Sequence, residues 1–110
     1  MRKEPAVRFK FIHAMLTVHG VFNSCYLEEI FGIATALARR QSGDFAKANK
    51  GVAFDRRQLS YIADDNFQPM PESIEYLKAI HTVFGGSDYS RPGVKSARAL
   101  RPNKGGAFIS

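Results

Sequence analysis

The sequence predicts a mainly α-helical chain carrying one small β-hairpin. Three observations predict it. Apolar residues recur at helical spacing over residues 7–18, on both sides of Phe31-Gly32-Ile33, and over residues 74–84. Between the helical stretches, Val52-Ala53-Phe54 and Leu59-Ser60-Tyr61-Ile62 alternate at strand spacing about Arg56-Arg57-Gln58. The chain has 110 residues, 45% of them apolar, which is the size of one domain with a modest core.

Pro5 suits the first position of a helix, where its missing N–H costs nothing. Val7, Phe11, Ala14, Met15 and Val18 then form one apolar row, with Phe9, Ile12 and Leu16 beside it. A helix apolar over most of its circumference belongs at the centre of the core. Gly20 ends it. His13 and His19 read as structural histidines, because no Cys/His spacing supports a metal site.

Asn23 or Ser24 caps the second helix, with Glu28 and Glu29 favourable in its first turns. Tyr26, Leu27, Ile30 and Phe31 are its apolar positions. It stops at Gly32, where positive φ is cheap, and Ile33 follows as a buried plug. Thr35 or Ala34 caps a third helix that runs to Lys50. Gly43 costs that helix about 1 kcal/mol relative to Ala and marks a kink or a break.

Gly51 opens the hairpin. Its turn of three residues, Arg56-Arg57-Gln58, holds no Asn-Gly or Asp-Gly, so the sequence does not specify the turn type. Phe54 and Tyr61 are expected to stack across the strands and pack against the helices. Asp64-Asp65-Asn66 ends the second strand, and Pro69 and Pro71 mark a connector. Pro71-Glu72 starts a fourth helix, with Glu72 and Glu75 near its positive end. Ile74, Leu77, Ile80 or His81, and Phe84 form its apolar stripe, as core or as a dimer surface. Gly85-Gly86 ends it.

These elements predict a folded domain over residues 1–86. From Ser87 onward Gly, Pro, Ser and Arg/Lys dominate and apolar periodicity stops. Residues 87–110 read as a basic tail without fixed structure, holding +4 of the chain's net +6. Arg91, Lys95, Arg98 and Arg101 are its candidate phosphate contacts, with a solvated terminus as the plain alternative. The net charge and a pI of 9.8 point to a polyanionic partner. The single cysteine, Cys25, excludes an internal disulfide framework and suits a reducing cytoplasm. No apolar run reaches the length of a membrane span, and no signal-peptide core follows Met1-Arg2-Lys3-Glu4-Pro5. The expectation is a soluble cytoplasmic protein.

Two helices around a glycine turn, followed by a basic hairpin, describe a winged helix-turn-helix. The second helix of such a pair needs small or polar residues where it meets base edges, and Thr35 and Ala36 supply them. One turn later it needs long donors, and Arg39 and Arg40 can each reach guanine O6 and N7. Ala38 faces inward so that the helices approach. Arg56 and Arg57 at the hairpin tip can reach a phosphate or the minor groove.

Phe31-Gly32-Ile33-Ala34, with Ala38 and Phe45, resembles the N-terminal winged helix of WYL-domain transcriptional regulators. Phe54-Asp55-Arg56 and Tyr61 resemble that family's wing, and Phe67 and Pro69 the segment after it. The resemblance covers roughly residues 9–70. It implies a winged-helix fold, operator binding as a homodimer and repression of transcription. It carries DNA contact to the recognition helix and wing alone. Leu37 stands where the family often has Gln, Arg39 where it often has Ser, and Gln41 where Asp is common, so the operator would differ. The chain leaves no room for a WYL domain, so the resemblance does not imply ligand sensing.

The leading expectation is therefore a sequence-specific regulator of double-stranded DNA, a repressor on a pseudo-palindromic operator, needing no cofactor and no metal. The alternative is a winged-helix module that binds a protein through the fourth-helix stripe or the surface around Leu37. An enzyme using Cys25 with His13, His19 or His81 is not expected, since no catalytic signature surrounds the thiol.

Overall fold

A computed structural model describes residues 3–91, with side chains from residue 6 onward, and the chain is built around one apolar helix. That helix, α1 (Lys3–His19), buries Phe11, Ile12, Ala14, Met15 and Leu16 on several sides at once. It packs against every layer of the fold. Removing one large side chain there, such as Phe11, costs about 3–5 kcal/mol. Around it stand β1 (Val21–Phe22), α2 (Cys25–Phe31), α3 (Thr35–Ala48), β2 (Val52–Asp55), β3 (Ser60–Ala63) and α4 (Ser73–Phe84). The class is mixed: among the described residues there are four helices and one small antiparallel sheet.

The hairpin expected from the sequence is part of a three-stranded sheet in the order β1-β3-β2. β1 pairs Val21 with Ile62 and Phe22 with Tyr61. Its two residues are too few to show alternation, which is why the sequence does not reveal it. Gly20, at φ 75°, turns the chain out of α1 and into this strand. β2 and β3 pair from Val52–Ala63 to Asp55–Ser60, which leaves a turn of four residues, 56–59, rather than three. Leu59 therefore belongs to the turn and not to the strand.

The chain returns sharply at Gly51. Its φ is +77°, and a Cβ there would lie 2.3 Å from the Phe67 nitrogen, so no other residue fits. Asp64 N–H donates to Gly51 C=O at 2.8 Å and closes the base of the hairpin.

Two helix expectations change. Gly43 does not break α3, which runs through it and ends at Ala48 rather than Lys50. The Tyr61 hydroxyl lies 3.6 Å from where a Gly43 Cβ would sit, so a small residue lets β3 lie close to the helix. α4 starts at Ser73, not at Pro71-Glu72. Glu72 takes a left-handed backbone, φ 59°, and turns the chain into the helix. Only Leu77 and Ile80 of the expected stripe are buried, with Ser73 beside them. Ile74 and Phe84 are exposed because the helix is rotated toward Tyr76 and Ser73.

The change of composition at Ser87 is not where packing stops. Tyr89 is 1% exposed and Ser90 is buried. Glu29 on α2 accepts from Ser87 N–H at 3.0 Å, from Ser87 Oγ at 2.9 Å and from the Tyr89 hydroxyl. His19 Nε2 meets the Tyr89 carbonyl oxygen at 2.8 Å. The tail expected from Ser87 thus begins with a segment folded onto α1 and α2. Lys95, Arg98 and Arg101 lie outside the described residues. Among the described residues no helix is long and apolar enough to cross a membrane.

Candidate nucleic-acid interface

The α2–α3 pair is shaped by local backbone chemistry. Asn23 Oδ1 accepts from Cys25 N–H at 2.9 Å and so starts α2, while Ser24 makes no side-chain cap. Gly32, at φ 67°, ends α2, and its N–H donates to Glu28 C=O at 2.9 Å. Ile33 is half-buried against the core rather than fully enclosed. Ala34 precedes α3 in an extended backbone and offers no side-chain cap, so the first amides of α3 are left without one.

The inner face of α3 is Ala38, Gln41, Ser42 and Phe45. Ala38 is fully buried, as its small size requires for close helix approach. Phe45 meets Phe9 of α1 edge to face at 5.6 Å. This rotation leaves Thr35, Ala36, Arg39 and Arg40 exposed on the outside. The Thr35 hydroxyl donates to Glu28 Oε1 at 3.1 Å, so a carboxylate stands beside the start of the exposed face. Any anion approaching α3 is thereby favoured one turn later, at Arg39 and Arg40, rather than at Thr35.

The hairpin tip is built by Asp55. Its Oδ1 accepts from Arg57 N–H at 2.9 Å and its Oδ2 from Gln58 Nε2 at 3.1 Å. An Asx turn thus replaces the missing Asn-Gly or Asp-Gly. Asn23 Nδ2 donates to Leu59 C=O at 2.8 Å and ties the tip to the start of α2. Arg56 and Arg57 are exposed. Leu59 has φ 53° and is 66% exposed, a bulky apolar residue in a conformation that suits glycine or asparagine.

A cavity of about 480 Å³ lies between the start of α2, α3 and the hairpin, lined by Asn23, Ser24, Arg39, Phe54, Leu59 and Tyr61. Phe54 and Tyr61 meet edge to face across the strands at 5.0 Å, as their register predicts. Phe54 stays half exposed on the cavity wall, whereas Tyr61 reaches inward toward Gly43. The structure therefore brings Arg39 together with the hairpin face. Arg40, Arg56 and Arg57 are exposed but not part of that wall. Arg91 is exposed at the end of the packed segment. Sequence reasoning missed Asn23, Leu59 and Asp55 as parts of this surface. Asp at the first turn position was the available signal.

His13 Nε2 meets the Gln68 carbonyl oxygen at 2.7 Å and its ring packs on Phe45 and Phe67. Burial pushes the Tyr26 hydroxyl above its ordinary pKa, with Cys25 and Glu29 adding to the effect, and burial alone does so for Tyr61 and Tyr76. The Ser90 hydroxyl bond holds the Asp88 carboxyl below its ordinary value. Among the described residues no group of three or more His, Cys, Asp or Glu side chains could hold a metal ion. Neither a protein-family model nor a curated protein matches the chain.

Proposed function

We propose that this chain is a winged helix-turn-helix regulator that binds double-stranded DNA in a sequence-specific way, with α3 as its recognition helix and the β2–β3 hairpin as its wing. The observation that carries the reading is the outer face of α3. Arg39 and Arg40 stand exposed on it, and Arg39 shares one cavity with the hairpin. The element order, with β1 closing a three-stranded sheet onto the hairpin, supports the same reading. The basic charge supports a polyanionic partner. The resemblance to the N-terminal domain of WYL-type regulators points in the same direction.

In this reading Thr35 and Ala36 let the helix approach the base edges, and Arg39 and Arg40 read them. Arg56 and Arg57 hold phosphate, and Arg91 adds a further phosphate partner. A cytoplasmic homodimer binds a pseudo-palindrome with half-sites about 34 Å apart and represses by occluding a promoter. Random-site selection with the purified protein tests this. The expected product is an inverted repeat, and Arg39→Ala weakens binding to it by about 1–3 kcal/mol. Selection that enriches no sequence removes the proposal.

A second reading is favoured by one observation. Phe54 and Leu59 expose apolar surface on the same cavity wall, which suits a protein partner. A gel shift at physiological salt separates the two: a regulator prefers one duplex over scrambled competitor, and an adaptor prefers none.

A further inference from the structure

A smaller cavity, about 150 Å³, opens between α1, the end of α2 and the end of α4. Val7, Arg8, Phe31 and Phe84 line it. Among those residues Arg8 is the one polar side chain. Phe31 and Phe84 meet there edge to face, with ring centroids 4.8 Å apart.

Arg8 is only 9% exposed. Its Nε donates to Oε1 of the buried Gln41 on α3. That oxygen is neutral and occupies one of the several guanidinium N–H donors. No carboxylate among the described side chains pairs with Arg8. Its terminal nitrogens are not among the buried side-chain atoms left without a partner, so they keep solvent access and can meet an anion. The wall around it is aromatic and aliphatic, which does not suit a strongly hydrated anion such as phosphate. The volume limits the guest further, since an apolar cavity of about 150 Å³ holds one benzene ring.

We propose that this cavity binds a small monocarboxylate whose body is a single ring or a short branched alkyl group. Arg8 takes the carboxylate through its remaining N–H donors, and Phe31 and Phe84 hold the body. The site is wired to α3 at two points. Phe31 is the last residue of α2, directly before the turn at Gly32, and Arg8 grips Gln41, which follows Arg40. A bound carboxylate re-aims the guanidinium that Gln41 holds, so the Gln41 side chain reports occupancy. None of this depends on DNA binding.

The test uses the full chain, with benzoate and benzamide as probes, followed by ¹H–¹⁵N NMR. Benzoate is expected to shift Arg8 Nε–H, the Gln41 side-chain amide and the backbone amides of Phe31 and Phe84 along one saturable curve. Benzamide, with the same ring and no charge, binds at least about tenfold more weakly, because a charge-assisted bond is lost. Phe84→Ala alters an exposed helix end, keeps the native spectrum and weakens benzoate. Arg8→Met abolishes the charge selectivity. Equal affinity for the two probes overturns the proposal. So do shifts centred elsewhere on the molecule, or no saturation at about 10 mM benzoate, above the millimolar Kd reasonable for so small a ligand. Binding to DNA is measured separately on the ligand-free protein, so its failure counts against the regulator reading and leaves the benzoate titration intact.

Discussion

Arg39 and Arg8 both line cavities, and they are placed to opposite ends. Arg39 is exposed in an open cleft of about 480 Å³. Its charge is hydrated, costs nothing in the free protein and is available to a partner that brings its own negative charge. Arg8 is nearly enclosed beside a cavity a third that size and is fixed by a side-chain bond to Gln41. Its stem and Nε are held by the fold, while its terminal nitrogens keep solvent access. One helix, α3, serves both: Arg39 and Arg40 leave its outer face and Gln41 its inner one. Salt should therefore screen what Arg39 does and leave what Arg8 does almost unchanged.

The severest test of this contrast is at Gln41. Gln41→Leu keeps the helix and the volume but leaves Arg8 buried without its acceptor. The expected cost is about 1–3 kcal/mol in urea unfolding, since the Nε–H is left without its acceptor. Adding Arg8→Met to that variant should restore most of the loss, because two apolar groups then meet. A Gln41→Leu variant within about 0.5 kcal/mol of the parent would show that water reaches the Arg8 Nε–H as well.

On the outer side of α3, the informative contrast is between its arginines and those of the hairpin. Arg39→Ala should lose about 1–3 kcal/mol on the selected duplex and little on others. Arg56→Ala or Arg57→Ala should weaken all duplexes alike. Each should also reduce the slope of log affinity against log salt, by about 0.9 for every phosphate that is no longer neutralised. Neither change should move the unfolding midpoint, as these side chains are exposed. Wing variants that change base preference instead would transfer sequence reading from α3 to the hairpin.

The same contrast explains what was legible in the sequence. Arg39 and Arg40 follow from helical periodicity and Arg56 and Arg57 from strand alternation about a turn, so all four were readable as a surface. The α1 core was readable from the same helical period, and the Gly32 turn from a glycine between two apolar stretches. Arg8 was not, because one charged residue among apolar neighbours looks like any solvated position until α3 folds over it. β1 was too short for a period to show. Tyr89 was hidden in a run of Gly, Ser and Arg, where composition suggests a tail, and its burial depends on Glu29 sixty residues earlier. Long-range pairing of this kind leaves no local mark.

Leu59 offers a milder change on the wall of the Arg39 cavity. At φ 53° its Cβ crowds the backbone, which costs an L-residue about 1–2 kcal/mol. Leu59→Gly removes both the strain and an exposed apolar side chain. The expected result is a gain of about 1 kcal/mol in stability, reduced by the greater chain entropy of glycine. A loss of stability would mean that Leu59 packs on Phe54 strongly enough to outweigh its backbone, and would make the hairpin tip a rigid part of the cavity.

The weakest response is expected on the alkaline side of the stability curve, and it touches both cavities. Tyr61 lines the Arg39 cleft, and the Tyr76 hydroxyl donates at 3.1 Å to the carbonyl of Val7, on the wall of the Arg8 cavity. Tyr26 lies in the core. Burial raises all three hydroxyls above the ordinary value of 10.0. The sign follows from which state ionises first. Below pH 10 both states keep the proton and stability is full. As pH rises past 10 the unfolded chain loses protons while the folded one holds them, so the unfolded state gains, and the loss continues until the folded values are passed. Unfolding followed from pH 9 to 12, a range set by the ordinary tyrosine value of about 10, should therefore show a falling midpoint. Tyr61→Phe and Tyr76→Phe should each flatten that fall, and Tyr26→Phe should flatten it as well despite its loss of a buried hydroxyl. A slope unchanged in all three would mean that these hydroxyls reach water in the folded protein, and that the cavity walls are more open than the described geometry.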